Sequence, residues 1–123
     1  MKLFIIIGAL NAFLSVAFGA FGAHALEGKL EQKYIETWQT AVQYQMFHSI
    51  GILVIAVFLG QYPASALLSW SSWLMLIGII LFSGSLYILS VTKISILGAI
   101  TPLGGISFLV AWVLLIIASV KLM

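Results

Sequence analysis

Charged residues are almost absent from most of this chain. Lys93 is the only one between Thr37 and Val120. A helix needs about 20 mostly apolar residues to cross the hydrocarbon core of a bilayer. Four stretches meet that requirement, at about residues 3–23, 40–59, 66–90 and 96–120. The sequence therefore predicts a multi-pass protein of the cell membrane, with one integral domain over residues 1–123 and the lipid bilayer as its surroundings.

The connections between the apolar stretches predict the topology. The second connection is short and contains Pro63, which cannot continue a helix, and the third, around Lys93, is equally short. Short connections make sequential helices antiparallel neighbours. We therefore expect an all-α fold, an up-down-up-down four-helix transmembrane bundle with both termini on one side. The first stretch ends like a signal peptide, at Ala23-His24-Ala25, but it is longer than a signal core and is expected to be a retained helix.

The first connection has an apolar period of its own. Leu26, Leu30, Tyr34 and Trp38 recur at helical spacing, and most of the charged residues between them lie elsewhere on the helical wheel. This pattern predicts a short amphipathic segment at the membrane surface between helices one and two. A solvated loop is the alternative.

Composition excludes several classes of partner. The chain is 63% hydrophobic and 7% charged, and its net charge of +2 comes from scattered residues. No basic patch is present that could hold a nucleic-acid backbone. Cysteine is absent, which excludes disulfides and thiolate metal sites.

Helix one carries small residues along one face. Small side chains let helix backbones approach closely in lipid, where packing drives association. The members of this predicted packing face are Gly8, Ala12, Ser15, Gly19 and Ala23. Close approach of the backbone to a ligand is the alternative explanation.

Polar side chains concentrate in one half of the predicted bundle, where helices one and three end and helices two and four begin. Such groups are expensive in a membrane and usually face the bundle interior or a cavity. The candidate polar cluster consists of His24, Tyr44, Gln45, His48, Ser83, Tyr87 and Thr101. It is either a shallow binding pocket or a hydrogen-bond network that fixes helix register.

The chemistry available to this cluster is limited. All three acids (Glu27, Glu31 and Glu36) lie in the first connection, which argues against a proton-coupled exporter with a membrane carboxylate. His24 and His48 are predicted at different depths and cannot both ligate one haem. Two histidines with remote glutamates fall short of a catalytic zinc site. We therefore expect no metal, no cofactor and no enzymatic activity.

Three segments resemble the signature blocks of the YgdD/YwdK-like family of small multi-pass membrane proteins. They are residues 19–26 (GAFGAHAL), 40–48 (TAVQYQMFH) and 100–105 (ITPLGG). The resemblance covers nearly the whole chain and implies a cell-membrane protein with four spans. It implies no reaction, since the family is a domain of unknown function. Its motif residues correspond to Gly22, His24, Gln45 and His48.

Three functions fit these predictions. The first is binding of a small molecule, a lipid or a partner membrane protein through the polar cluster. The second is a small transport or permeation module, alone or as a homo-oligomer. The third is a structural role in membrane assembly.

Overall fold

The computed structural model describes residues 1–123, and almost all of them are helical. Five α-helices follow one another along the chain. They are α1 (Lys2–Phe21), α2 (Gln32–Gln61), α3 (Ala66–Gly78), α4 (Gly84–Thr92) and α5 (Thr101–Leu122). A π-helical turn, Gly22–Leu26, extends α1; a second, Ile79–Ser83, joins α3 to α4; and a 3-10 turn, Ser95–Ala99, precedes α5.

These elements form four continuous membrane helices. The first, second, third and fourth spans are Lys2–Leu26, Gln32–Gln61, Ala66–Thr92 and Ser95–Leu122, and each is long and apolar enough to cross a membrane. Sequential spans run antiparallel to each other. This result confirms the predicted all-α four-helix transmembrane fold.

The charged first connection is shorter than the sequence predicted. The expected second span began at about Thr40, with a separate amphipathic segment before it. Instead, α2 begins at Gln32 and runs to Gln61 as one helix. No proline or glycine interrupts the chain from there to Gly51, so the backbone has no reason to break where the charges end. Tyr34 and Trp38 therefore lie on the first turns of the second span, and only residues 27–31 connect the spans.

The contact between α1 and α2 has a seven-residue repeat. Phe4, Gly8, Asn11, Ser15 and Gly22 are buried. Of these, Gly8 faces Leu53, Asn11 bonds Gln45 and Gly22 faces Trp38, all on α2. A repeat of this length keeps one seam facing the partner when two helices wind around each other. Of the expected packing face, Gly8 and Ser15 are buried, Ala12 and Gly19 are half-buried, and Ala23 is exposed. The two steps of four residues from Ser15 to Gly19 and Ala23 drift off this seam, so Gly22 lies on it in place of Ala23.

The third and fourth spans approach each other closely at two glycines. A Cβ atom at Gly104 would overlap the backbone nitrogen of Phe82, and one at Gly78 would overlap the Phe108 ring. Pro102 lies in the first turn of α5, where its missing N–H costs no helical hydrogen bond. The absence of a side chain at Gly104 and Gly78 therefore lets the fourth span lie against the third beside the π-helical turn.

The two halves of the bundle are packed differently. Near the termini, an apolar core includes the fully buried side chains of Ile52, Ile55, Ala56 and Met75. In the other half, buried polar residues such as Gln45 and Ser83 replace part of that apolar packing. The second half contains most of the predicted site residues.

Candidate functional site

Gln45 connects three spans by hydrogen bonds. Its Nε2 donates to Oδ1 of Asn11 on the first span at 3.1 Å, and its Oε1 accepts from the Tyr87 hydroxyl on the third span at 2.7 Å. Gln45 is 4% exposed. In lipid a buried amide has no water to replace these partners. Both ends of the Gln45 side chain thus bond within the protein and fix the three spans relative to one another.

The other predicted cluster members fall into separate contacts. Ser83 donates to the carbonyl of Ala41 at 2.8 Å, while the Thr101 hydroxyl lies 2.6 Å from that of Ser85. His24 is exposed on the π-helical turn that ends the first span. The structure therefore brings Gln45 and Tyr87 together and leaves His24 apart.

His48 lies on the next turn of α2 and contacts different neighbours. Its Nδ1 is 2.8 Å from the carbonyl oxygen of Tyr44, and its Nε2 is 3.1 Å from the indole nitrogen of Trp112. An indole N–H only donates, so Nε2 accepts and Nδ1 carries the proton toward the carbonyl. The ring also stacks on Phe108, with centroids 3.5 Å apart and planes 8° from parallel. His48 is therefore a neutral imidazole with both nitrogens bonded.

A groove of about 690 Å³ opens beside His48, between α2 and α5. Six of its residues carry aromatic rings: Tyr44, Phe47, His48, Phe82, Phe108 and Trp112. Gln43, Pro102, Gly105, Ile106 and Leu109 complete its walls. The volume lies within the usual range for small-molecule sites, which are mostly apolar and aromatic with a few polar groups. We call this feature the aromatic groove.

Depth in the membrane varies along the aromatic groove. Gln43 and Tyr44 are nearer the membrane surface on α2, and Trp112 lies deeper on α5, level with His48, to which its indole is bonded. Leu109 is 68% exposed and Phe47 is 61% exposed, so one side faces the lipid tails. The aromatic groove therefore offers a polar end and an apolar end to a molecule that enters from the bilayer.

A second cavity of about 490 Å³ lies elsewhere on α2, between the first and third spans. Asn11, Gln45, Ser83, Ser85 and Tyr87 contribute polar groups to its wall. Each of these side chains already makes a hydrogen bond within the protein. The predicted polar cluster is thus divided, with Tyr44 and His48 in the aromatic groove and Gln45, Ser83 and Tyr87 at the second cavity.

Several site residues were not predicted as members of the polar cluster, among them Phe108, Trp112 and Asn11. Phe108 and Trp112 are four residues apart on α5, which is the spacing of one helix face, but aromatic residues in a membrane helix commonly face lipid. Asn11 lies within the apolar first span. An amide within an apolar span is itself the signal, because it must find a partner there.

Comparison with known proteins agrees with the membrane fold. The family described as "Protein of unknown function (DUF423)" matches residues 18–105. The chain is similar to the UPF0382 membrane protein YwdK of Bacillus subtilis, with 55% identity over 98% of each chain. It is also similar to UPF0382 membrane proteins of Staphylococcus haemolyticus and Staphylococcus epidermidis, with 54% and 53% identity over the same share of each chain. No solved structure matches.

The matched segment includes Gln45, Tyr44 and His48, and the relatives align from end to end. This extent of similarity confirms the resemblance seen in the three sequence blocks. The chain therefore belongs to the DUF423 family of multi-pass membrane proteins.

Proposed function

We propose that this protein binds an amphiphilic small molecule of the bilayer in the aromatic groove and is not an enzyme. The observation that supports the proposal is the wall of six rings around a concave volume of about 690 Å³. Rings of this kind contact flat or unsaturated apolar groups favourably. The ligand class is therefore a lipid-soluble molecule with a planar or unsaturated apolar part.

The exposed ends of the aromatic groove support an amphiphile over a purely apolar ligand. Gln43 and the half-exposed Tyr44 place an amide and a hydroxyl at its shallow end. Such groups can orient one polar group of a ligand near the membrane surface. The apolar part would then extend along Leu109 toward Trp112.

The hydrogen bonds of His48 support binding over catalysis. General acid-base catalysis needs a ring nitrogen within reach of a substrate proton. Here Nδ1 faces the Tyr44 carbonyl and Nε2 faces the Trp112 indole. His48 therefore serves as a fixed part of the wall, and the aromatic groove has no second titratable partner for it except the Tyr44 hydroxyl.

The bonded polar cluster also supports the aromatic groove as the binding site. The sequence suggested that a ligand would contact Gln45 and Ser83, but both side chains donate to other spans. A ligand at those atoms would have to replace bonds that hold the bundle together. The aromatic groove requires no such exchange.

The test fills the aromatic groove and measures what copurifies. A Cβ atom at Gly105 would meet only the Phe82 ring, at 4.0 Å, so Gly105→Leu adds bulk in the groove without forcing the helices apart. Gly98→Leu is the matched control, because its Cβ would meet only Leu89 at 3.8 Å and Gly98 does not line the groove. Both proteins are extracted in mild detergent, and their bound small molecules are identified by mass spectrometry.

We expect Gly105→Leu to lose a copurifying amphiphile that wild type and Gly98→Leu retain, with similar thermal midpoints for the three proteins. Equal ligand content in all three would overturn the proposal. A wild-type dimer that becomes monomeric in Gly105→Leu would also overturn it, because the occupant of the groove would then be a second copy of the chain.

A further inference from the structure

We infer that Lys33 and Lys93 form a binding site for a phosphate group at the membrane surface. This site goes beyond the aromatic groove and shares no residue with it. The two lysines belong to different spans and come together only in the folded bundle. We call the feature the lysine cleft.

The lysine cleft has a volume of about 270 Å³ and lies between the first turns of α2 and the end of α4. Its lining is Lys33, Tyr34, Thr37, Leu89, Lys93 and Ser95, which includes two cations and no acid. The hydroxyls of Thr37 and Ser95 add neutral hydrogen-bonding groups. This combination of two ammonium groups and two hydroxyls matches the oxygens of a phosphate.

Both ammonium groups converge on one aromatic ring. Lys33 Nζ is 5.0 Å and Lys93 Nζ is 5.4 Å from the centroid of Tyr34. Each contact is favourable by itself, as a cation over an aromatic ring, but two like charges beside one ring repel each other. An anion between them would convert that repulsion into two attractions.

The backbone at Lys93 provides a second and independent observation. Lys93 follows the last turn of α4 with φ 61°, and it is the only residue other than glycine with a positive φ. Glycine or asparagine usually occupies this position after a helix, because a side chain is strained there. A lysine at this position brings an ammonium group to the cleft, although its side chain makes the positive φ unfavourable.

The position of the lysine cleft indicates where the phosphate could come from. Lys33, Thr37 and Tyr44 lie on one face of α2, at i, i+4 and i+11 spacing. The lysine cleft therefore lies on the surface side of the aromatic groove, at the level of lipid headgroups. A lipid phosphate and a free phosphate ion share the required chemistry, and the experiment distinguishes them.

The experiment uses the full chain in detergent and native mass spectrometry. The probes are dioleoylphosphatidylglycerol, dioleoylglycerol, which lacks the phosphate, and inorganic phosphate as a competitor. The variants are Lys33→Gln and Lys93→Gly, with Lys29→Gln as the matched control. Lys29 is exposed on the same side of the membrane and does not line the cleft. Lys93→Gly also relieves the positive φ, so its thermal midpoint should equal or exceed that of wild type.

We expect the apparent Kd for phosphatidylglycerol to rise about fivefold in Lys33→Gln and in Lys93→Gly, the usual effect of one lysine near a lipid phosphate. Lys29→Gln should bind as wild type does, and dioleoylglycerol should bind weakly to all four proteins. Displacement of the lipid by millimolar inorganic phosphate would identify a free ion as the ligand, and its failure would identify the headgroup. Equal loss in Lys29→Gln, or equal binding of the two lipids, would overturn the inference.

Discussion

Replacement of Gln45 by leucine should destabilise the protein by about 1 to 3 kcal/mol. The substitution removes two hydrogen bonds, from Gln45 Nε2 to Asn11 and from Tyr87 to Gln45 Oε1. Hydrogen bonds between membrane helices contribute about 0.6 kcal/mol on average and up to about 1.7 kcal/mol. Two such bonds give the stated range. Asn11 Oδ1 and the Tyr87 hydroxyl would also lose a partner in a region without water.

The measurement is the free energy of unfolding, obtained by titrating purified protein in mixed micelles with sodium dodecyl sulfate and following helicity. Gln43→Leu is the matched control, because it is the same change two residues earlier at an exposed position, and it should stay within about 0.5 kcal/mol of wild type. Equal free energies for the two variants would refute the view that Gln45 joins three spans.

A double-mutant cycle separates the bond to Tyr87 from the rest of the effect. Tyr87→Phe alone should cost about 0.6 to 1.7 kcal/mol. In the Gln45→Leu background that bond no longer exists, so the same change should cost little. Strictly additive losses would show that the Tyr87 hydroxyl does not act through Gln45, because Tyr87→Phe keeps the ring that packs against Trp38, at 4.6 Å between centroids.

Two further predictions use the same titration. Gly22→Ala should destabilise the protein by about 1 to 3 kcal/mol, because its Cβ would lie 2.5 Å from the Trp38 indole nitrogen. Gly19→Ala, whose Cβ would have only a 3.4 Å contact, should be nearly neutral. The reverse order of stabilities would contradict the seven-residue seam. His48→Leu should lower the free energy of unfolding more than Trp112→Phe does, because it removes both imidazole hydrogen bonds and not only the one between these two residues. Equal losses would count against the hydrogen bond from His48 Nδ1 to the Tyr44 carbonyl.

The fold could be predicted from the sequence because the bilayer imposes strong constraints. Four apolar stretches and two short connections leave few topologies, and the antiparallel four-helix bundle is the simplest of them. The start of α2 at Gln32 could not be predicted in the same way. Hydropathy shows where a helix can contact lipid, while the backbone continues a helix until a residue such as Pro63 or Gly28 stops it.

The candidate site could be predicted only in part. Polarity within apolar spans identified Gln45 and His48 as buried residues, since such groups seek the bundle interior. Their hydrogen-bond partners depend on how the spans rotate and tilt against each other, and the residue pattern of one span does not contain that information. Trp112 illustrates the difficulty, because its indole bonds His48 across 64 residues of chain while its sequence surroundings resemble any lipid-facing segment.

The π-helical turn of the third span explains how one bundle can hold both a bonded cluster and an open groove. Within this turn, Phe82 places its ring 4.3 Å from that of Tyr44 in the aromatic groove. The next residue, Ser83, donates to the carbonyl of Ala41. Gly104 then allows the fourth span to lie directly against the Phe82 backbone. Single π-turns within helices often mark functional positions.

These contacts fix the wall of the aromatic groove before any ligand arrives. Phe82 is held by the second span through Ser83 and by the fourth span through Gly104, and Phe108 is held by its stack on His48. A site whose side chains are already ordered loses little conformational entropy on binding. In the proposed function, the hydrogen bond from Ser83 to Ala41 would therefore support binding in the groove, even though Ser83 does not line it.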